Sequence, residues 1–426
     1  MSDKLRKLPQ IEIEQHVVEL IMKLVHVFRA TKKIDFSEIS RLFFEVEYQN
    51  LKEERRLVWE VINTLRTENP QISPRLIFSS LINEVVGIVV FNPYNSITDD
   101  TLADMARKKV KSLLNYSSLR EIDIPIVSLQ VDGLPVKIGK VTFHPISDTD
   151  RGSEWWEKIK LNYSGNSDFE IVSYGRITSP GDWEIALDYA EESIQDALLI
   201  IRGIGFHFVS QEINQFGVIN EFPVWPNQPY RLNRPKESER LEHSSNVITR
   251  LGPPIRVYRL YADILNLIDG SVITILDKLL SKDGDTTITE MQRKFLSGLR
   301  WIGEGTKPDT LAARYLKIST ALEYLIGGES SIEYLTTRGI TATLAERAAF
   351  LIGKDKDQRI SIDRAVKKYY GLRSKIVHGN RDAVDQSDFL EFGLLVRQIA
   401  LTLCQKVSSF SGVDDLQKWV IEQRYA

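Results

Sequence analysis

Cysteine is nearly absent: Cys404 is the only one in 426 residues, which excludes a disulfide framework and a thiolate metal cluster. Its segment, IALTLCQKV, is apolar, so the thiol is expected to be a small buried hydrophobe in a reducing, cytoplasmic setting. Histidine is scarce as well. His16, His26, His144, His207, His243 and His378 are scattered, with no HExxH and no His/Cys pair at ligand spacing, so neither a metal nor another cofactor is expected. A phosphate-binding Gly-x4-Gly-Lys loop is missing, and RGIGF, Arg202 to Phe206, lacks the glycines and the strand-to-helix order of a dinucleotide fingerprint. No Gly-x-Ser-x-Gly occurs either, which sets aside the serine hydrolases that use it.

Long apolar runs are also lacking. The richest, VVGIVVF and ALLII, are core-sized and far from the roughly 18 residues of a spanning helix, and MSDKLRKLPQ has no apolar stretch behind its charges. Neither a membrane protein nor secretion by such a signal is expected. No charge of one sign dominates: the net charge is −3, so any nucleic-acid site must be local.

Two basic stretches are present. Arg364, Lys367, Lys368, Arg373, Lys375 and Arg381 are set against only Asp363 and Asp382, whereas PYRLNRPKESERLEH is diluted by Glu237, Glu239 and Glu242 and reads as a solvated face.

Hydrophobic periodicity divides the chain into parts. Residues 1–118 read as a helical unit: IEIEQHVVELIMKLVHVFRA carries Val17, Leu20, Leu24 and Val27 at helical spacing, FSEISRLFFEVEYQNLKEERRLVWEVINTLRT repeats the pattern, and SITDDTLADMARKKVKSLLNY opens with a Ser or Asp cap. Residues 119–232 read as α+β. Strands are expected within IDIPIVSLQVDGLPVKIGKVTFHPI, with VDGLPVKI as a hairpin, and in FEIVSYGRI and FGVINEF, separated by the helix DWEIALDYAEESIQDALLIIRG. Residues 233–290 are a connector and helices, with Pro223 to Pro254 irregular, and residues 291–426 are helical. The expected fold is therefore mixed and mainly α.

One motif carries chemistry. Arginine four to six residues before histidine is unspecific by itself, since six histidines give on the order of one chance match in such a chain. Arg202 to His207 has this spacing, but its two glycines and the following FHFVS read as a turn entering a strand, so His207 is taken as structural. Arg373 to His378, in YYGLRSKIVHGN, lies on an expected helix. With Leu372 at zero, Ile376 falls near 40° and Tyr369 near 60° as a core stripe, Arg373 near 100°, Ser374 near 200° and His378 near 240°. That places the polar arc away from the core, and the long arginine stem can sweep toward His378 across Ser374. Gly379 would end the helix beside an accessible imidazole. Forked guanidinium donors and a titratable imidazole suit a phosphodiester. A solvated arginine and a helix-capping histidine explain the same residues.

The C-terminal region resembles the HEPN superfamily, and within it the Apea-like group. The resemblance rests, in order, on LAARYLKISTALEYLIGGES with Leu322-Glu323, on TLAERAAFLIG, and on YYGLRSKIVHG followed by FLEFGLLVRQIALTLCQKV. Periodicity supports four packed helices there, with Leu311, Tyr315, Ile318, Leu322 and Leu325 as one stripe and Phe392, Leu395, Ile399 and Leu403 as another. The resemblance implies a metal-independent endoribonuclease in a defence or toxin-like role. Arg373 and His378 would be catalytic, with Ser374 beside them where relatives often have Asn, and Lys367, Lys368, Lys375 and Arg381 would contact RNA. Such domains usually pair as homodimers around a shared cleft. Asn380 stands where the variant modified by a partner nucleotidyltransferase has Tyr. Some members are inert RNA-binding or oligomerisation modules, which is the alternative. Residues 1–290 would sense a trigger or bind an inhibitor.

Overall fold

The structure is a computed structural model, and it describes residues 10–31, 52–81, 98–127, 129–147, 150, 171–205, 217–218, 232–233, 258–261, 270–281, 288–307, 309–328, 339–379 and 383–425. The segment FSEISRLFFEVEYQN, the run VVGIVVF, His207, His243, Arg381 and most of the stretch from Pro223 to Pro254 lie outside the described residues. Contacts divide the chain into two compact units, residues 1–120 with 178–189, and residues 121–177 with 190–426.

The first unit is helical. Helices α1 (Gln10–Thr31), α2 (Lys52–Glu68) and α4 (Asp99–Leu114), with the short α3 (Pro74–Ile77), bury a core that includes Val17, Ile21 and Leu24 of α1, Val61 and Leu65 of α2, and Ala106 and Val110 of α4. These residues recur three and four apart, which puts each set on one helical face. The cap of α4 is Thr98, whose hydroxyl accepts from the Thr101 amide at 3.2 Å, in place of the expected Ser or Asp; Asp99 and Asp100 instead occupy the first turn, where the helix dipole favours them. Buried Asn69 closes this unit, donating through Nδ2 to the Leu113 and Tyr116 carbonyls at 2.8 and 2.9 Å while Oδ1 accepts from Gln71.

The second unit contains most of the sheet residues and most of the remaining helical ones. The strands are β1 (Leu119–Val127), β2 (Leu129–Asp132), β3 (Val136–Ile138), β4 (Val141–Pro145), β5 (Ile171–Pro180), β6 (Gly217–Val218), β7 (Leu232–Asn233) and β8 (Tyr258–Tyr261). The main sheet runs β3-β4-β5-β1-β6, with β7 also on β1, and β2 pairs in parallel with β8. The hairpin expected in VDGLPVKI is displaced: β2 leaves for β8, and the tight hairpin is β3–β4 across Gly139-Lys140. Gly139 has φ 64°, and any Cβ there would collide with Leu280. In β1 every residue from Ile122 to Val127 is buried, so the strand is covered on both faces. Its buried Asp123 is matched by Arg176, which reaches the carboxylate with Nε and Nη2 at 2.7 and 2.9 Å.

Eight helices complete the described chain: α5 (Trp183–Gly205), α6 (Gly270–Ser281), α7 (Glu290–Thr306), α8 (Leu311–Ile326), α9 (Ile340–Ile352), α10 (Lys356–Val377), α11 (Gln386–Lys406) and α12 (Val413–Tyr425). Thus six helices, α7 to α12, build the described residues of the C-terminal region, where the sequence suggests four. Both expected stripes are largely buried, though Leu311 and Leu395 sit at the margin, and Cys404 is buried, its thiol pushed up to about 12 by burial. Arg202 is not in a turn. It lies on α5, which continues through Gly203 to Gly205, because Gly203 serves helix packing against the Leu299 carbonyl rather than chain reversal.

Candidate functional site

The candidate site lies on the last turns of α10. The helix starts at Asp355, whose side chain accepts from Gln358, and ends at His378, whose amide donates to the Ser374 carbonyl at 3.1 Å. Gly379 follows at φ 98° and its amide reaches the Ile376 carbonyl at 3.0 Å, so glycine turns the chain out of the helix where the sequence suggests. Val366, Tyr369, Tyr370 and Ile376 are the buried residues, and Leu372 is only half-buried.

This shifts the buried arc. On the helical wheel it runs from about 40° at Ile376 to about 160° at Tyr370, and Arg373 stands in its middle. Arg373 therefore does not join a solvent-facing arc. Its Nη2 pairs with Glu323 Oε1 of α8 at 3.2 Å, and its guanidinium carbon lies 5.3 Å from the Tyr370 ring centroid. Tyr370 donates its hydroxyl to the same Glu323 oxygen at 2.7 Å. Burial and this hydrogen bond push the Tyr370 phenol up to about 12. Adjacent Tyr369 points the other way, packing on Phe392 with its hydroxyl on Glu391 of α11. Tyr315 of α8 donates to the Tyr369 carbonyl at 2.8 Å and locks α10 to α8.

The opposite arc, near 200° to 320°, is exposed and holds Arg364, Lys367, Ser374, Lys375 and His378. His378 and Ser374 make no side-chain hydrogen bond or ion pair among the described residues. Lys367 is tied to Asp363 at 2.7 Å and Lys368 to Asp388 at 2.8 Å, and that hydrogen bond raises the Lys368 ammonium's pKa. Lys375 is exposed without an acidic partner among the described residues. Thus the structure brings Ser374, Lys375 and His378 to one surface and turns Arg373 toward α8.

Glu323 and Tyr370 complete the constellation. Tyr370 precedes Arg373 by three residues and could have been found from helical spacing. Glu323 is fifty positions away from Arg373 on another helix, so no local signal assigns it a partner. In chemical terms the site offers a guanidinium held at one nitrogen, with its other donors unengaged among the described residues, and an open imidazole at a helix end. No group of three His, Cys, Asp or Glu that could hold a metal occurs among the described residues, and none of their helices is long and apolar enough to cross a membrane. Comparison with known protein families, curated proteins and solved structures finds no match.

Proposed function

We propose that residues 291–426 form a HEPN-type endoribonuclease that cleaves RNA without a metal, in a cytoplasmic defence or toxin-like role regulated through residues 1–290. The observation that carries this reading is the placement of Arg373 and His378 at one end of a helix braced by its neighbours, with the imidazole open to solvent and the guanidinium only one-third exposed. A 2′-hydroxyl is the nucleophile, so the product ends in a cyclic 2′,3′-phosphate and DNA is not a substrate. His378 moves the proton of the nucleophile or of the leaving 5′-oxygen, and Arg373 stabilises charge on the phosphate. Ser374 and Lys375 border the same surface.

A second reading, an inert RNA-binding or oligomerisation module, is favoured by the Arg373–Glu323 pair, which ties the guanidinium into the bundle. Cleavage of single-stranded RNA separates the two. The nuclease reading expects fragments ending in cyclic phosphate, undiminished by EDTA, and a loss of about a hundredfold or more in Arg373→Ala or His378→Ala with unchanged melting. RNA retention without fragments supports the second reading, and strict Mg²⁺ dependence with free 3′-hydroxyl ends sinks the first.

A further inference from the structure

We propose that Tyr370 keeps Arg373 releasable to an RNA phosphate, by sharing the Glu323 oxygen that otherwise holds the guanidinium; this deepens, and rests on, the RNA-cleaving reading. Glu323 Oε1 accepts the Tyr370 hydroxyl at 2.7 Å and is ion-paired with Arg373 Nη2 at 3.2 Å. The tyrosine contact is the shorter. A carboxylate oxygen already engaged by a hydroxyl donor holds a neighbouring cation less firmly than a free one would.

The Glu323 carboxylate and a phosphate compete for the same guanidinium, and only the phosphate would take its donors as a fork. When phosphate wins, a carboxylate only 27% exposed is left without its cation. Stranding a half-buried charge is costly, and the Tyr370 hydroxyl, which stays bonded, lowers that cost. The ring contributes as well, since the guanidinium lies over its face and retains that surface after leaving the carboxylate. Glu323 is thus a built-in competitor of RNA, and Tyr370 is a positioning residue that opposes it.

Opposite signs test this. Full-length protein is titrated with a short 2′-O-methylated RNA, which binds but lacks the nucleophile. Removing the competing charge with Glu323→Gln is expected to tighten binding about threefold, and removing the hydroxyl with Tyr370→Phe to weaken it about threefold, as suits a partly exposed ion pair. The double variant should bind like Glu323→Gln alone, and Arg373→Ala should abolish both effects. In parallel, ¹⁵N-arginine NMR should show slower rotation of the Arg373 guanidinium in Tyr370→Phe, which loss of packing alone would not produce. Unchanged or tighter RNA binding by Tyr370→Phe, while Arg373→Ala still weakens it, overturns the proposal and spares the RNA reading. Equal binding by wild type and Arg373→Ala overturns both, and slowed rotation then marks the shared oxygen as a structural tie only.

Discussion

A Cβ placed on Gly203 would lie 2.6 Å from the Leu299 carbonyl oxygen, so α5 and α7 meet backbone against backbone where they cross. The relation is reciprocal, because Gly303 faces the backbone of Leu199. Leucine followed four residues later by glycine occurs on both helices, each leucine opposite the other's glycine. Arg300 of α7 grips Asp196 of α5 beside the crossing, and Arg397 of α11 donates to the Ile204 carbonyl at 2.9 Å. Small residues set the interaxial distance, and the ion pair fixes the register.

Alanine at either glycine should therefore destabilise the fold. Helix propensity favours alanine by about 1 kcal/mol, but crowding against backbone cannot be relieved by a rotamer change and costs about 1–3 kcal/mol or more. Gly371 is the control, since a Cβ there meets nothing within 4 Å on an exposed helical position. Urea titration should show Gly203→Ala and Gly303→Ala less stable than wild type and Gly371→Ala slightly more stable. Equal stability of Gly203→Ala and Gly371→Ala would mean the crossing is not close.

These glycines also show what a sequence can reveal. Periodicity located α1, α5, α8, α10 and α11, because each buries one face and the spacing of buried residues is local information. The same reasoning took RGIG for a turn, since a glycine that permits close packing and one that permits reversal look alike until the partner helix is known. Strand pairing failed for the same reason: β2 and β3 are neighbours in sequence, yet β2 pairs with β8, more than a hundred residues later. At the candidate site, the open face of Ser374, Lys375 and His378 was legible from the wheel. The inward turn of Arg373 was not, because it depends on Tyr370 and Val366 widening the buried arc and on Glu323 waiting on α8.

Arg347 gives a second stability test. It is fully buried, and burial pushes its guanidinium down to about 10. Nε donates to Gln417 Oε1 at 2.8 Å and Nη1 to the Ile326 carbonyl at 2.7 Å, while Nη2 and Gln417 Nε2 have no partner among the described residues. Arg176 uses its Nε and Nη2 together on a carboxylate, whereas glutamine can accept at only one of its two atoms. Gln417→Glu offers the missing acceptor and should stabilise the fold by about 1–3 kcal/mol at pH 7. The introduced glutamate's folded pKa is depressed by Arg347, so the gain is present above its unfolded value, about 4.3, and fades as pH falls through the folded one. Urea midpoints at pH 7 and pH 3 check this. A lower midpoint at pH 7 would show that the added buried charge outweighs the new bond.

At the alkaline end, Cys404, Tyr369 and Tyr370 act in one direction. Burial is the leading cause for all three, raising the thiol from 9.0 and the phenols from 10.0 to about 12. The folded chain thus holds protons that the unfolded chain releases. Their contribution is full below pH 9, declines as pH rises above it, and is lost as pH passes about 12. Stability should fall between pH 9 and pH 11, and Cys404 should resist thiol reagents at pH 8 until urea unfolds the chain. Rapid labelling of the native protein would place the thiol at the surface.

Assembly follows from the exposed end of α10. His378 is the only histidine among residues 291–426, and in-line cleavage benefits from one group taking a proton while another gives one. Two-fold pairing would bring a second copy of the same patch, and with it a second imidazole, to one cleft. Like charges facing across the empty cleft would repel, and RNA phosphates would relieve that repulsion, so affinity should drop as salt is added. A homodimer, or a larger even-numbered assembly, through the C-terminal helices is the expected active form. Coexpression of wild type with Arg373→Ala/His378→Ala chains, followed by isolation of mixed dimers, tests the composite cleft through cleavage per subunit. Mixed dimers should lose most of the activity of the wild-type half. Full activity per intact subunit, or active enzyme that sediments as a monomer at assay concentration, would mean that each chain carries a complete site, with Arg373 and His378 acting on RNA without a second copy.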